Sequence, residues 1–255
     1  MLMNRIKDAV GCGFRRLGFQ VVALPRPSAD RCRYETIAPI ATYAPWNADD
    51  RFLATYEEIR GHTMVDLYRC WELWELVEQS GKLQGSILEI GVWRGGTGAL
   101  MAKRAAMCGI RDPVYLCDTF CGVVKGGAHD TYHTGGQHAD TSKARVENLV
   151  LNQLKLTNVR VLEGIFPDDT AHLIQEQPCI FRLCHIDVDV YESAKDILHW
   201  VWDRMTAGGI VVFDDYGFCG CEGIARLVDD QAGEKDRLVF QNLNGHALVV
   251  KLPVG

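Results

Sequence analysis

The chain has 255 residues, of which 47% are hydrophobic and 24% charged, with a formal net charge of −6. That length suits one α/β domain with an N-terminal extension rather than two full domains, and such a core needs no disulfide or structural metal. An acidic chain argues against nucleic acid as the main partner, because phosphate recognition needs a basic face.

The charge is unevenly spread. Residues 1–33 carry Arg5, Lys7, Arg15, Arg16, Arg26, Arg31 and Arg33 against only Asp8 and Asp30. Residues 1–24 read as a basic, partly amphipathic helix packed on the domain or on a second subunit, rather than a membrane-surface anchor. Gly11, Gly13 and Gly18 weaken any long helix there. Lys7, Asp8, Arg15 and Arg16 break the first apolar stretches, so no signal peptide is expected. No window approaches a transmembrane span. A cytoplasmic protein follows, and its ten scattered cysteines, with no CxxC pair, read as reduced thiols. Residues 1–60 are expected to form the extension and residues 61–255 the main domain.

Pro25-Arg-Pro27-Ser28 reads as a linker, and residues 34–48, with Pro39 and Pro45, as irregular chain. Asp49 or Asp50 can cap a helix running through Tyr56 and Ile59. Residues 65–80 read as a strong helix, with Leu67, Cys70, Trp71, Trp74 and Val77 at helical spacing. From Ser86 the pattern changes to strands alternating with helices. Strands are expected at 86–90, 113–117, 159–163, 181–186 and 209–213. Helices are expected at 97–106, 142–154, 170–175, 193–204 and 223–231. Residues 122–141 form a long polar loop rich in Gly and His. Residues 237–241 and 246–251 read as a hairpin through Asn244-Gly245. This order implies a doubly wound, mostly parallel seven-stranded sheet of Rossmann-like type, ending in an antiparallel hairpin.

Three features carry chemistry. Glu89-Ile-Gly91-Val-Trp-Arg-Gly95-Gly96-Thr97-Gly98 joins the first strand to its helix, where glycine lets backbone approach a ligand closely. It lacks the GxGxxG spacing. Asp118 closes the second strand, where a carboxylate can take both ribose hydroxyls of a nucleoside. His185-Ile-Asp187-Val-Asp189 ends one strand and Phe213-Asp214-Asp215 ends the next. Strand C-termini of such a sheet line the ligand crevice. Carboxylates gathered there repel one another unless a cation or protons neutralise them. Oxygen-only ligands select a hard ion such as Mg²⁺. His129, His133 and His138, in the loop after Asp118, fit a substrate-contacting lid. No Cys or carboxylate spacing beside them supports a zinc cluster.

The chain at this point resembles a known family. Glu89-Ile-Gly-Val-Trp-Arg-Gly-Gly-Thr97, Asp118-Thr-Phe120, Gly164-Ile-Phe166, Ile186-Asp-Val-Asp-Val-Tyr-Glu-Ser193 and Asp214-Asp-Tyr-Gly217 look like the macrocin-type O-methyltransferases. Those enzymes methylate sugar hydroxyls in macrolide and aminocoumarin biosynthesis. His62-Thr63-Met64 matches their segment ahead of the core, and the resemblance covers residues 62–231. It implies a class I methyltransferase fold, S-adenosylmethionine and Mg²⁺. By the match, Asp187, Asp214 and Asp215 are metal ligands, and Asp189 falls on a position proposed as general base. Thr63, Met64, Glu89, Gly91, Asp118, Gly164 and Phe166 become the expected cofactor contacts. The 122–141 loop and the Trp71–Trp74 helix depart from the family pattern, and both regions would touch the acceptor.

A hydroxyl is a poor nucleophile while protonated. A metal such as that held by Asp187 lowers its pKa and fixes its angle of attack, and a base then removes the proton. Asp189, two residues past Asp187, faces the same side in extended backbone; His185 and the loop histidines are rivals for that part. The acceptor is expected to be a small polyhydroxylated molecule such as a sugar, and the protein a homo-oligomer. Two other readings stand beside this one. A NAD-dependent oxidoreductase would need the missing GxGxxG. A non-catalytic binding protein on the same scaffold would have no use for the acidic residues.

Overall fold

The computed structural model describes residues 41–253, together with Tyr34 and Ile37. The expected basic helix at 1–24 and the linker after it lie outside the described residues.

A 3-10 turn, Pro45–Ala48, leads into helix α1, Asp50–Ile59. Asp49 caps α1: its Oδ1 accepts the backbone N–H groups of Arg51 and Phe52 at 3.0 and 2.9 Å. Those are two of the donors that a helix start leaves without intrahelical partners. Asp66 caps α2, Leu67–Ser80, in the same way, so this helix starts two residues later than the apolar pattern suggests. Phe52 and Ile59 from α1 meet Leu73, Trp74 and Val77 from α2 in one buried cluster. Trp74 is fully buried there, and its Nε1 donates to Asp49 Oδ2 at 3.1 Å. The tryptophan stripe is therefore core.

The remaining elements alternate. Strands β1 (Ser86–Ile90), β2 (Val114–Asp118), β3 (Val159–Glu163), β4 (Phe181–Ile186) and β5 (Met205–Phe213) run parallel. Between them lie α3 (Gly96–Met107), α4 (Lys143–Glu147) and α5 (Tyr191–Trp202), and α6 (Glu222–Gln231) follows β5. Strands β6 (Arg237–Gln241) and β7 (Ala247–Lys251) form the closing hairpin, and β7 pairs antiparallel with β5. The sheet order is β3-β2-β1-β4-β5-β7-β6. This is the expected seven-stranded, doubly wound sheet with an antiparallel end.

All of β1 is buried, because parallel strands have helices on both faces. Ile87 joins the core layer under α1, α2 and α3, while Leu88 joins the layer under α5 and α6. The chain runs outward from β1 to β3, then returns to the other side of β1 with β4. The β1/β4 boundary is therefore the switch point where the crevice opens.

Three segments differ from expectation. The helix expected at 142–154 is α-helical only over Lys143–Glu147 and widens to a π-turn at Asn148–Gln153, where Leu154 N–H reaches Leu149 O. The segment at 170–175 makes a single 3-10 turn, Ala171–Leu173, because Ile174 turns extended to bury its side chain. Strand β5 begins at Met205, ahead of the glycine pair, because Met205 pairs with Phe181. Among the described residues no helix is long and apolar enough to cross a membrane.

Candidate functional site

The C-terminal ends of β1, β2, β3 and β4 border one cleft holding about 700 Å³ of empty space, its open mouth included. Pockets of that size hold cofactor-sized molecules. Gly91, Asp118, Gly164, Phe166, Asp187 and Asp189 all line it, with Met64 at the rim. Phe166 is nearly buried and meets Trp200 edge-on at 4.9 Å. Thr63 and Glu89 stand behind the cleft rather than in its wall. Thr63 packs beside Gly96 and accepts the Val65 N–H at 3.0 Å. Glu89 is fully buried, with Oε1 2.9 Å from His185 Nδ1.

The turn after β1 is built around two of these residues. Gly91 has φ +87°, and a Cβ there would overlap the Asp187 carbonyl oxygen. The close approach that this glycine permits is thus between the β1 and β4 ends. Asp118 Oδ2 accepts the N–H groups of Val92 and Trp93 at 2.7 and 2.8 Å, and Oδ1 accepts that of Phe120 at 2.7 Å. The β2 carboxylate therefore holds the β1–α3 turn in place while facing the cleft.

The acidic residues converge. Asp187, Asp214 and Asp215 each present an oxygen such that all three lie within 4.8 Å of one another. Asp189 joins them through its backbone, whose N–H donates to Asp215 Oδ2 at 2.8 Å. Burial, and then the charges of Asp214, Asp215 and Asp189, push the Asp187 carboxyl well above the usual range. Burial, then Asp189 and Asp214, do the same to Asp215. Asp214 behaves oppositely. Burial acts to raise it, but His185, His246 and the Arg69 guanidinium outweigh burial and hold it well below the usual range.

That cage around Asp214 was not legible in the sequence. Arg69 Nη1, from α2, donates to Oδ2. His246 Nε2, from the residue ahead of β7, lies 2.9 Å from Oδ1. His185 Nε2 is 3.4 Å from the same oxygen, close enough to pair charges but without hydrogen-bond alignment. Burial works against the charged form of His185, yet Asp214 and Glu89 raise its pKa to about 9. Arg69 sits on a helix whose pattern advertises only its apolar face. A signal for His246 existed: it follows the Asn-Gly turn that brings β7 back beside β5.

The long loop between β2 and α4 folds over this edge and is tied down at several points. Lys125 Nζ bridges Asp196 and Asp168 at 2.7 and 2.9 Å. Asp130 accepts the Tyr191 N–H at 2.9 Å, and Trp93 Nε1 donates to Asp140 at 2.8 Å. It carries His133 and His138 to Asp189, whose oxygens lie 3.4 and 4.0 Å from their Nε2 atoms. His129 instead meets the Tyr191 ring at a tilt, the centroids 4.5 Å apart, outside the acidic cluster.

A nucleoside-sized cleft at the switch point, bordered by clustered carboxylates, is shared by several enzyme classes. Comparison with known proteins separates them. A family model described as macrocin O-methyltransferase (TylF) matches residues 28–236. The chain belongs to the macrocin O-methyltransferase family.

Curated relatives carry O-methyltransferase names too. The 8-demethyl-8-(2,3-dimethoxy-alpha-L-rhamnosyl)-tetracenomycin-C 4'-O-methyltransferase of Streptomyces olivaceus is 32% identical over 202 residues, covering 72% of this chain and 75% of that protein. The mycinamicin III 3''-O-methyltransferase of Micromonospora griseorubida is 29% identical over 191 residues, covering 70% and 74%. Among solved structures, the O-methyltransferase NovP superposes with a TM-score of 0.64 at 25% identity, covering 75% of this chain and 83% of that one. TomG of Streptomyces achromogenes, solved with S-adenosylmethionine, has a TM-score of 0.54 at 15% identity over 80% and 91% of the two chains, a likeness of fold. The present chain is thus an O-methyltransferase with the class I methyltransferase fold.

Proposed function

We propose that this O-methyltransferase moves the methyl group of S-adenosylmethionine to a hydroxyl oxygen of a sugar, or of another small vicinal diol, with Mg²⁺ held by Asp187, Asp214 and Asp215. The observation that carries this reading is the junction of cleft and acidic cluster: Asp187 and Asp189 line the same cleft as Gly91, Asp118 and Gly164.

The donor set fits a hard divalent ion. It is all oxygen and gathered within 4.8 Å. The raised Asp187 and Asp215 carboxyls mark a place short of positive charge. Bound there, Mg²⁺ would supply Lewis acidity toward the acceptor oxygens.

The protein's own residues do the rest. Gly91, Asp118, Gly164, Phe166 and Met64 form the wall against the cofactor. Behind that wall Thr63 holds the Val65 N–H and Glu89 holds the His185 ring. Asp189 takes the proton from the acceptor hydroxyl. The oxygen forms a bond to the methyl carbon as the carbon–sulfur bond breaks, and that electron pair stays on sulfur. The products are a methyl ether and S-adenosylhomocysteine. The names of the relatives, which specify a rhamnosyl tetracenomycin and mycinamicin III, support a glycosylated small molecule as acceptor. The same reading takes the enzyme as a cytoplasmic homo-oligomer without a nucleic-acid partner.

The test is transfer of labelled methyl to sugar diols, glycosides and catechols, with Mg²⁺ and after chelation. A methyl ether formed on diols, lost with excess EDTA and restored by Mg²⁺, is the expected result. Full turnover in EDTA overturns the metal assignment, and methylation of an isolated amine with no diol used overturns the substrate class.

A further inference from the structure

The loop histidines have no metal-ligand pattern beside them in sequence, yet the fold brings them partners. His133 Nε2 lies 3.4 Å from Asp189 Oδ1. Cys221 Sγ, from the residue ahead of α6, lies 3.8 Å from the same oxygen. The nitrogen, oxygen and sulfur all fall within 4.8 Å of one another. The three donors come from the long loop, the turn after β4 and the end of the β5–α6 connection.

These separations have a chemical meaning. Zinc binds imidazole nitrogen and carboxylate oxygen at about 2.0–2.1 Å and thiolate at about 2.3 Å, almost always as a tetrahedron in structural sites. The edges of that tetrahedron are then about 3.3–3.4 Å for nitrogen to oxygen and about 3.5–3.6 Å for sulfur to oxygen. The observed 3.4 Å matches the first edge, and 3.8 Å is close to the second. The His133–Asp189 separation is longer than an N–H···O hydrogen bond of about 2.7–3.2 Å. The ligands are also built into the protein rather than displayed on it. His133 is 8% exposed and Cys221 4%.

We propose that His133, Asp189 and Cys221 form a second metal site, selective for a borderline-soft divalent ion such as Zn²⁺. Its nitrogen–oxygen–sulfur donors set it apart from the all-oxygen cluster of Asp187, Asp214 and Asp215, which suits Mg²⁺. Binding would form metal bonds to His133 Nε2, one Asp189 oxygen and the Cys221 sulfur, and the thiol proton would leave to solvent. The ion would take the carboxylate otherwise free to accept a proton. The site goes beyond the methyl-transfer reading and does not depend on it.

The test uses the full chain, stripped of metal and then held in excess Mg²⁺ while Co²⁺ is added. One equivalent of Co²⁺ should bind with tetrahedral d–d absorption and a thiolate-to-cobalt charge-transfer band, and Zn²⁺ should bleach both. Cys221→Ser should abolish the charge-transfer band, and His133→Gln should weaken Co²⁺ binding at least tenfold. No charge-transfer band in the wild-type protein overturns the proposal. So does a band that survives in Cys221→Ser, which would belong to another cysteine. Should Cys221→Ser not fold, unchanged Co²⁺ affinity in His133→Gln still overturns it. Methyl transfer in Mg²⁺ alone is read separately, so failure of the catalytic reading leaves this result standing.

Discussion

His246 bridges α2 and the residue just past β5 through its two ring nitrogens: Nε2 lies 2.9 Å from Asp214 Oδ1, and Nδ1 lies 2.6 Å from Glu72 Oε2. Glu72 also accepts from the side chains of Asn242 and Asn244, in the turn of the closing hairpin. The antiparallel end of the sheet therefore does more than close an edge. It holds a buried imidazole against Asp214, the one carboxylate of the Asp187, Asp214 and Asp215 cluster whose pKa is lowered rather than raised.

Replacing His246 with Ala should loosen Asp214 while leaving Arg69 and His185 beside it. Removing such an outer partner of a metal ligand commonly lowers metal affinity about 10–100-fold. The Mg²⁺ concentration giving half-maximal turnover should rise by that factor, with S-adenosylmethionine affinity little changed. His246→Gln, which can still donate to Asp214, should recover part of the loss. A normal Mg²⁺ requirement in a well-folded His246→Ala protein would exclude this positioning role.

Gly91→Ala should be among the most damaging single changes in the chain. The added Cβ would overlap the Asp187 carbonyl oxygen, at a φ of +87° that already disfavours alanine. Neither neighbour can move without parting β1 from β4. A loss of roughly 4 kcal/mol or more is expected, in the range reserved for a specific structural lesion. Urea unfolding measures it, and a loss under about 1 kcal/mol would show that the two strand ends are free to separate.

Much of this was legible in the sequence, and the parts that were not share a cause. Five strands in the order found, the hairpin and the Asp49 cap follow from local patterns such as apolar runs, turn residues and capping side chains. Asp187, Asp214 and Asp215 could be grouped because strand ends in a doubly wound sheet share one edge. Arg69, Glu72 and Cys221 could not be tied to that group. Arg69 lies 145 residues before its partner Asp214, and no local rule links them. Gly91 shows a different limit. The sequence singled it out as a place where backbone approaches a ligand, but its close approach to the Asp187 carbonyl depends on the β1–β4 register, which only the packed sheet defines.

Asp49 should give the protein a measurable acid dependence. Burial alone would raise its carboxyl, but the Phe52 N–H, Trp74, Arg104 and the Arg51 N–H lower it below its ordinary 3.8. A depressed folded-state pKa contributes stability above the unfolded value, and that contribution is lost as pH falls through the folded value. Asp49→Ala should therefore cost about 1–2 kcal/mol near neutral pH, as losing a helix cap does. The gap to wild type should narrow as the pH falls below 3.8. Asp49→Asn keeps an accepting oxygen without the charge, so its stability should lack this acid step. A gap between wild type and Asp49→Ala that stays constant across that window would remove the carboxylate's charge from the explanation.

Asp189→Asn separates proton removal from assembly of the site. The amide keeps the size of the side chain, and the backbone N–H that donates to Asp215 Oδ2 is untouched. What disappears is an oxygen able to accept a proton from the acceptor hydroxyl. General-base catalysis is typically worth about 10²–10⁴-fold, so kcat should fall within that range. S-adenosylmethionine affinity and the Mg²⁺ requirement should hold, because neither Asp118 nor Asp187, Asp214 and Asp215 has changed. Isothermal titration for the cofactor and steady-state kinetics for kcat and KM together make the distinction. If KM rises instead while kcat stays near wild type, Asp189 holds the acceptor and another group, His185 or a loop histidine, removes the proton. Loss of cofactor binding would mean that Asp189 shapes the cleft wall, and the base would have to be sought elsewhere.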